Sequence, residues 1–450
     1  MSKLLVCGVT VAWLVMAALA QECGAQARQD PQAIENHITH VQGSSKKVCQ
    51  LTGQLDHETR QPTVNQTVKR FGLIAADLGY SFEHHGKLFF LFGDALPSAR
   101  FRGKPNRRKD PPRLLDDDDA IAFTTDTTPD QCPKLDFITN SNGAYESPVV
   151  LNAEGQPAIT LRTNEMPISG ISERSRMYVI FGTDNILSNP PGGPRKPAGG
   201  PTRTVMAASD DDARTFHYLY DVSKGPGAKF IYGSMARGPD GYIYFWGAQG
   251  GALYRRSAPY FARKKTELLD RTGEMEYFTG AGPGGQPRFS SSEADASPLF
   301  EDYLDGSAEP HNCMANFSVQ WNPFVHRWVM LYSCSNHTRA NLGGIWMRLA
   351  EQPWGPWSAP QTIFNAERDG GLCRFIHRAV NAQNPTPCDD LSPPERQAQS
   401  GGNYAPYLIS LFTTGDEARG TSTFYYTMAT WNPYGQVIMK STIQDDSKQR

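Results

Sequence analysis

The chain has no excess of one charge: 44 Lys and Arg stand against 46 Asp and Glu, a formal net charge of −2. Partners captured mainly by electrostatics, nucleic acid and anionic membrane surfaces, are therefore not expected. Beyond the N-terminus no apolar run is long enough to span a bilayer. There is no Gly-rich phosphate loop, no G-x-S-x-G elbow and no H-E-x-x-H pair, so the chemistries those motifs carry have nothing to rest on. No two cysteines have C-x-x-C spacing, which removes the usual zinc-site signature. Present instead are 41 Gly, 33 Pro and 11 % aromatic residues, a mix suited to many short strands and turns.

The first residues, "MSKLLVCGVTVAWLVMAALAQ", combine Lys3, an apolar core and the small residues Ala18 and Ala20. This reads as a secretory signal peptide over residues 1–20, with a later cleavage site at Ala27 and a membrane anchor as the alternatives. A flexible lead is expected over residues 21–45 and one folded domain over residues 46–450. The expected location is secreted or periplasmic, free of the membrane after cleavage. Six cysteines lie beyond either cleavage site: Cys49, Cys132, Cys313, Cys334, Cys373 and Cys388. An even number in an oxidising compartment points to disulfides. Cys313 with Cys334 would bridge neighbouring strands and Cys373 with Cys388 would close a loop, leaving Cys49 for Cys132, although six cysteines allow other pairings.

One strand recurs. "KLFFLFGD" at residues 87–94 has relatives in "RMYVIFGT", "GYIYFWGA", "HRWVMLYS" and "STFYYTMA". Each is preceded and followed by another strand-like run; in the third unit the following run is "ALYRRSA" at residues 252–258. Five successive antiparallel units describe an all-β, five-bladed β-propeller in a single domain, with two stacked sandwiches as the alternative. The fifth unit has three strands, and "KKVCQLTG" at residues 46–53 can supply the fourth and close the ring. "SDDDARTF" at residues 209–216 resembles the Asp-box turn of propeller blades, with Ala213 where glycine is usual. A monomer is expected, because a closed ring leaves little edge to pair.

Asp77 and Asp94 sit in the first and second strands of the first unit, at the ends of runs that otherwise read as buried. A buried carboxylate is costly unless it is paired or held for a purpose. Antiparallel pairing about "EHHGK" can bring the two together, as glycoside hydrolysis requires of its two carboxylates. Turn capping is the plainer alternative. The stretches "AADLGYSFEHHGKLFFLFGDAL", "NEMPISGISERSRMYVIFGTD" and the ending "NYAPYLISLFTTGDEARGTSTFYYTMATWNPYGQVIMKS" resemble the domain-of-unknown-function family 4185. Proteins resembling it include the glycoside hydrolase family 183 endo-D-arabinanases, which act on mycobacterial cell-wall arabinan. The resemblance implies a five-bladed propeller whose catalytic pair maps to Asp77 and Asp94, a polysaccharide partner and no organic cofactor.

Aligning the blades places further polar residues near Asp77: Glu165 and Glu146 as carboxylates tuning the acid, and Arg237, Asn316, Asn403 and Tyr404 as substrate contacts. Trp246, Trp328 and Trp346 could stack on sugars or fill the core between blades. On an extended strand His84 and His85 would face opposite ways and could not share one metal ion; they are expected to be turn residues, with no metal site. The acidic run "LLDDDDA" at residues 114–120 is expected to be a solvated loop, a structural calcium site being the alternative. A non-catalytic glycan- or protein-binding propeller remains a second reading. A sialidase-like hydrolase using Arg174, Arg237 and Arg255 is a third.

Overall fold

In a computed structural model the chain is described over residues 36–98, 118–161, 164–184, 200–250, 257–303, 312–334 and 344–449. The expected signal peptide lies outside these residues. Five antiparallel sheets follow one another along the chain. The first holds Leu73–His84, Lys87–Pro97, Asp118–Thr124 and Asp136–Phe137. The second runs from Met166–Glu173 outward through Arg176–Thr183 and Arg203–Ser209 to Phe216–Lys224, with Val150–Leu151 added in parallel at its edge. The third begins with Tyr232–Arg237 and Tyr242–Ala248, and the fourth with Met314–Asn322 and Arg327–Cys334.

The first strands of the five sheets touch one another in a cycle, Leu73–His84 meeting both Met166–Glu173 and Gly402–Leu408. That cycle is the inner wall of a five-bladed β-propeller. The repeated second strands are buried nearly throughout. Their aromatic and β-branched residues fill the spaces between blades, which is why they lack a polar alternate face. Trp246 and Trp328 meet there, ring centroids 5.2 Å apart, between the third and fourth blades. Both belong to the core.

Lys46–Gln50 pairs with Gly435–Asp445 as the outer strand of the fifth blade, closing the ring as the sequence suggests. Two expectations shift. The third strand of blade three is Tyr260–Lys265 rather than residues 252–258, most of which lie outside the described residues. The lead is also not free up to residue 45, because Ile38–His40 pairs with Ile443, Gln444 and Asp445 and buries Ile38. Three disulfides join Cys49 to Cys132, Cys313 to Cys334 and Cys373 to Cys388.

The Asp-box turn joins the third and fourth strands of blade two. The Asp211 carboxylate accepts the Thr215 N–H at 2.9 Å and the Ser209 hydroxyl at 2.8 Å. Ala213 takes the glycine position at φ 67°, a left-handed conformation unfavourable for an L-residue. Blade four encloses a buried ion pair: Arg348 donates to Asp302 at 2.7 Å, and each side chain is 1 % exposed. Tyr332 bridges the two, Ser358 contributes its carbonyl oxygen, and the guanidinium lies 4.1 Å from the Phe300 ring centroid.

Candidate active site

The propeller has two mouths, and its inner strands all run the same way between them. Their starting ends gather Asp77, Asn316 and Tyr404 at one mouth. Their finishing ends gather Glu83, Glu173, Arg237 and Trp321 around a cavity of about 430 Å³ at the other. Between the two, Tyr80 and Tyr407 pack edge to face, ring centroids 5.7 Å apart, and both are almost wholly buried. The Tyr80 hydroxyl donates to the Met235 carbonyl at 2.7 Å, so this aromatic pair is anchored across the channel.

Asp77 is 6 % exposed in the inner strand of blade one, directly opposite Gly93 of the second strand. The ladder is irregular here, with register shifts on both sides of this pairing. A Cβ at position 93 would come within 3.1 Å of both the Asp77 carboxylate and Met166, so the glycine leaves room for the acid against the second blade. The next residue, Asp94, has φ 43° at a bulge in a strand that continues to Pro97. Asp94 therefore does not end its strand; the bulge re-aims it, as bulges beside functional sites commonly do.

Tyr404 donates its hydroxyl to Asp77 Oδ2 at 2.8 Å. Tyr434, in the turn between the last two long strands of blade five, donates its hydroxyl proton to the Asp94 carbonyl oxygen at 3.0 Å and lies near the Asp77 carboxylate. Burial, and then the negative charge of Asp77, push the Tyr434 phenol well above its ordinary pKa, so it stays protonated and donates. Asp94 Oδ1 accepts the Asn164 N–H at 2.7 Å. A third carboxylate adjoins: Asp119, 2 % exposed, receives the Asp94 N–H at 3.3 Å on Oδ1, and its own N–H reaches Ser147 Oγ at 3.1 Å.

Of the sequence candidates, Asp77, Asp94 and Tyr404 come together. Glu165 is buried between Asn164 and Met166, both of which touch this site. Asn316 lies near the Tyr407 phenol, whose pKa is pushed up by burial and then by the Asp77 charge. Asn403 is buried, but strand alternation turns it to the face opposite Tyr404. Glu146 is exposed, one residue from the Ser147 that holds Asp119.

Arg237 does not join the site. It pairs with Glu173 at 2.6 Å at the opposite mouth, because it ends its strand where Asp77 lies near the start of its own. Arg174 occupies the hairpin turn at that same far end, and Arg255 lies outside the described residues, so the described residues assemble no arginine cluster on Asp77. His84 and His85 sit in the turn expected of them, and there their rings face each other, because His85 has φ 47° rather than extended backbone.

Sequence reasoning missed Asp119 and Tyr434. Asp119 belongs to the acidic run taken as solvated; its signal was position, since the third strand must begin beside the end of the second. Tyr434 lies in "WNPYG", whose turn returns the chain to the Asp77 mouth.

The family model described as "Domain of unknown function (DUF4185)" matches residues 63–440. No curated protein matches the chain. Solved structures similar to it include a protein from Bacteroides ovatus ATCC 8483 described as a "putative hydrolase", at 13 % identity and TM-score 0.49, over 83 % of this chain and 87 % of that one. Another is a GH43 beta-xylosidase/alpha-arabinofuranosidase from a compost microbial metagenome, at 12 % identity and TM-score 0.40, over 78 % and 85 %. A GH43_1 enzyme from Xanthomonas citri is similar at 11 % identity and TM-score 0.39, over 81 % and 86 %.

Proposed function

The chain belongs to the DUF4185 family, and from that premise we propose that it is an extracytoplasmic glycoside hydrolase acting on a furanosidic polysaccharide, D-arabinan being the first candidate. One observation carries the reading. Two carboxylates from adjacent strands of one blade lie near Tyr434 at a channel mouth, Asp77 buried and accepting from Tyr404, Asp94 half-buried on a bulge. Hydrolysis of a glycosidic bond needs one carboxyl group to protonate the leaving oxygen and another to attack the anomeric carbon or deprotonate the water that does. Hydrogen bonds to a charged carboxylate favour that form. Both acids accept such a bond, Asp77 from Tyr404 and Asp94 from the Asn164 N–H, and the pair shares the two roles between them. Asp119 holds the Asp94 backbone and so acts on its position. No organic cofactor enters this scheme.

The extracytoplasmic location rests on the three disulfides, which persist in oxidising compartments. Among the described residues no helix is long and apolar enough to cross a membrane.

The test is product release from mycobacterial arabinogalactan, beside arabinan and xylan controls, by the wild type and by Asp77→Asn and Asp94→Asn. Oligosaccharides that appear with wild type and fall by about 10²–10⁴-fold in each variant are the expected result. Full activity in either variant would remove that residue from the mechanism. No product from any of the glycans would favour a binding propeller.

A further inference from the structure

The hairpin tip of blade one and the Asp-box turn of blade two meet at the rim of the far mouth, away from Asp77. Three side chains converge there. His84 Nε2 lies 3.2 Å from Asp212 Oδ1, and His85 Nδ1 lies 3.1 Å from the same oxygen. The two imidazoles face each other with centroids 3.9 Å apart. Adjacent residues on an extended strand cannot do this; the left-handed backbone of His85 allows it.

We infer that His84, His85 and Asp212 form a binding site for a borderline divalent transition-metal ion of the zinc type, which clamps the first blade to the second. Donors held about 2.0–2.2 Å from one tetrahedral ion stand about 3.3–3.5 Å from each other. The two nitrogen–oxygen separations are already close to that, and all three ligand atoms lie within 4.8 Å of one another, so one ion can draw them together. The surroundings match a metal ligand set in three further ways. The His84 ring is buried, and its other nitrogen, Nδ1, meets Ser172 Oγ at 2.8 Å, the kind of second contact that fixes a ligand imidazole. The Asp-box turn is tied by Ser209 and Asp211, so Asp212 is not needed for it. Lys87 occupies the other Asp212 oxygen at 3.3 Å, leaving Oδ1 to the two histidines.

The side chains of His85 and Asp212 are 49 % and 39 % exposed, which gives an ion access and lets water complete its coordination. Two imidazoles and one carboxylate oxygen suit zinc, nickel or copper. They do not suit calcium or magnesium, which take mostly oxygen ligands.

Equilibrium dialysis of the untagged, chelator-treated protein against Zn²⁺, with Ca²⁺ in parallel, tests the site. His85→Asn keeps a residue that tolerates the left-handed turn, and Asp212→Asn keeps the shape of the Asp-box. The expected result is one tightly held Zn²⁺ per chain, at least tenfold weaker binding in each variant, no comparable Ca²⁺ uptake, and a melting temperature raised by Zn²⁺ in the wild type alone. No zinc retained by the wild type at micromolar concentration would overturn the inference. So would zinc binding of unchanged affinity and stoichiometry in both folded variants. The outcome is independent of glycan hydrolysis.

Discussion

Replacing Asp302 by Ala should be among the most damaging single changes outside the candidate active site. Arg348 would keep its charge, because a guanidinium does not give up its proton in a protein even when burial opposes the charged form. With both side chains 1 % exposed, no water takes the place of the lost carboxylate. Tyr332 and the Ser358 carbonyl would be left to face an uncompensated cation. Breaking one side of a buried pair costs about 3–5 kcal/mol. Unfolding entropy of about 2.1 cal/mol/K per residue over roughly 400 residues converts this to a melting temperature about 4–6 °C lower. Differential scanning calorimetry reads that shift directly. The stronger check is the double variant Asp302→Leu with Arg348→Met, which removes both charges and retains apolar volume; it should recover most of the loss or exceed wild type. A single variant within about 1 °C of wild type, or a double variant as unstable as the single, would refute the reasoning, since either would show that the cation is not stranded.

Three further outcomes are expected. Tyr404→Phe removes one hydrogen bond to the Asp77 carboxylate, worth about 1.5–3 kcal/mol; kcat/KM on a cleaved glycan should fall about 10–100-fold while the melting temperature stays within a few degrees. Ala213→Gly relieves a left-handed alanine in the Asp-box turn and should stabilise the fold by about 1 kcal/mol, read as a higher denaturant midpoint. His57 has its pKa lowered to about 4, chiefly by burial, so below its ordinary value near 6.5 the unfolded chain binds a proton that the folded chain refuses. Its contribution therefore destabilises the fold progressively as pH falls from about 6.5 to 4, by up to about 3 kcal/mol, and His57→Gln should flatten the stability–pH curve across that window.

The propeller was legible because its evidence is repetitive. Five aromatic second strands, each flanked by two others, leave few architectures that could bury them all, and the closing strand announced itself as the run the fifth blade lacked. The pairing of Asp77 with the neighbourhood of Asp94 followed from a single hairpin. What could not be read depended on backbone irregularity and on which end of a strand a residue occupies. Periodicity predicts opposite faces for His84 and His85, and one positive φ cancels it. Arg237 and Asp77 both belong to inner strands, yet they lie at opposite mouths because one finishes its strand and the other is near the start. Asp119 looked solvated because acidic runs usually are, and only the register with blade one's second strand places it beside Asp94.

The way the ring is closed sets a timetable for synthesis. Lys46 must wait for Lys440, its partner in the fifth blade, which leaves the ribosome only after the four other blades. Cys49, in the same early strand, waits only for Cys132. Once residue 132 has been made and oxidised, that bond can moor the waiting strand to the first blade, so the late strand meets a partner already tethered there. Withholding the oxidant would then delay the final step more than the earlier ones, and a chain stalled before its last strand would carry an open, sticky seam.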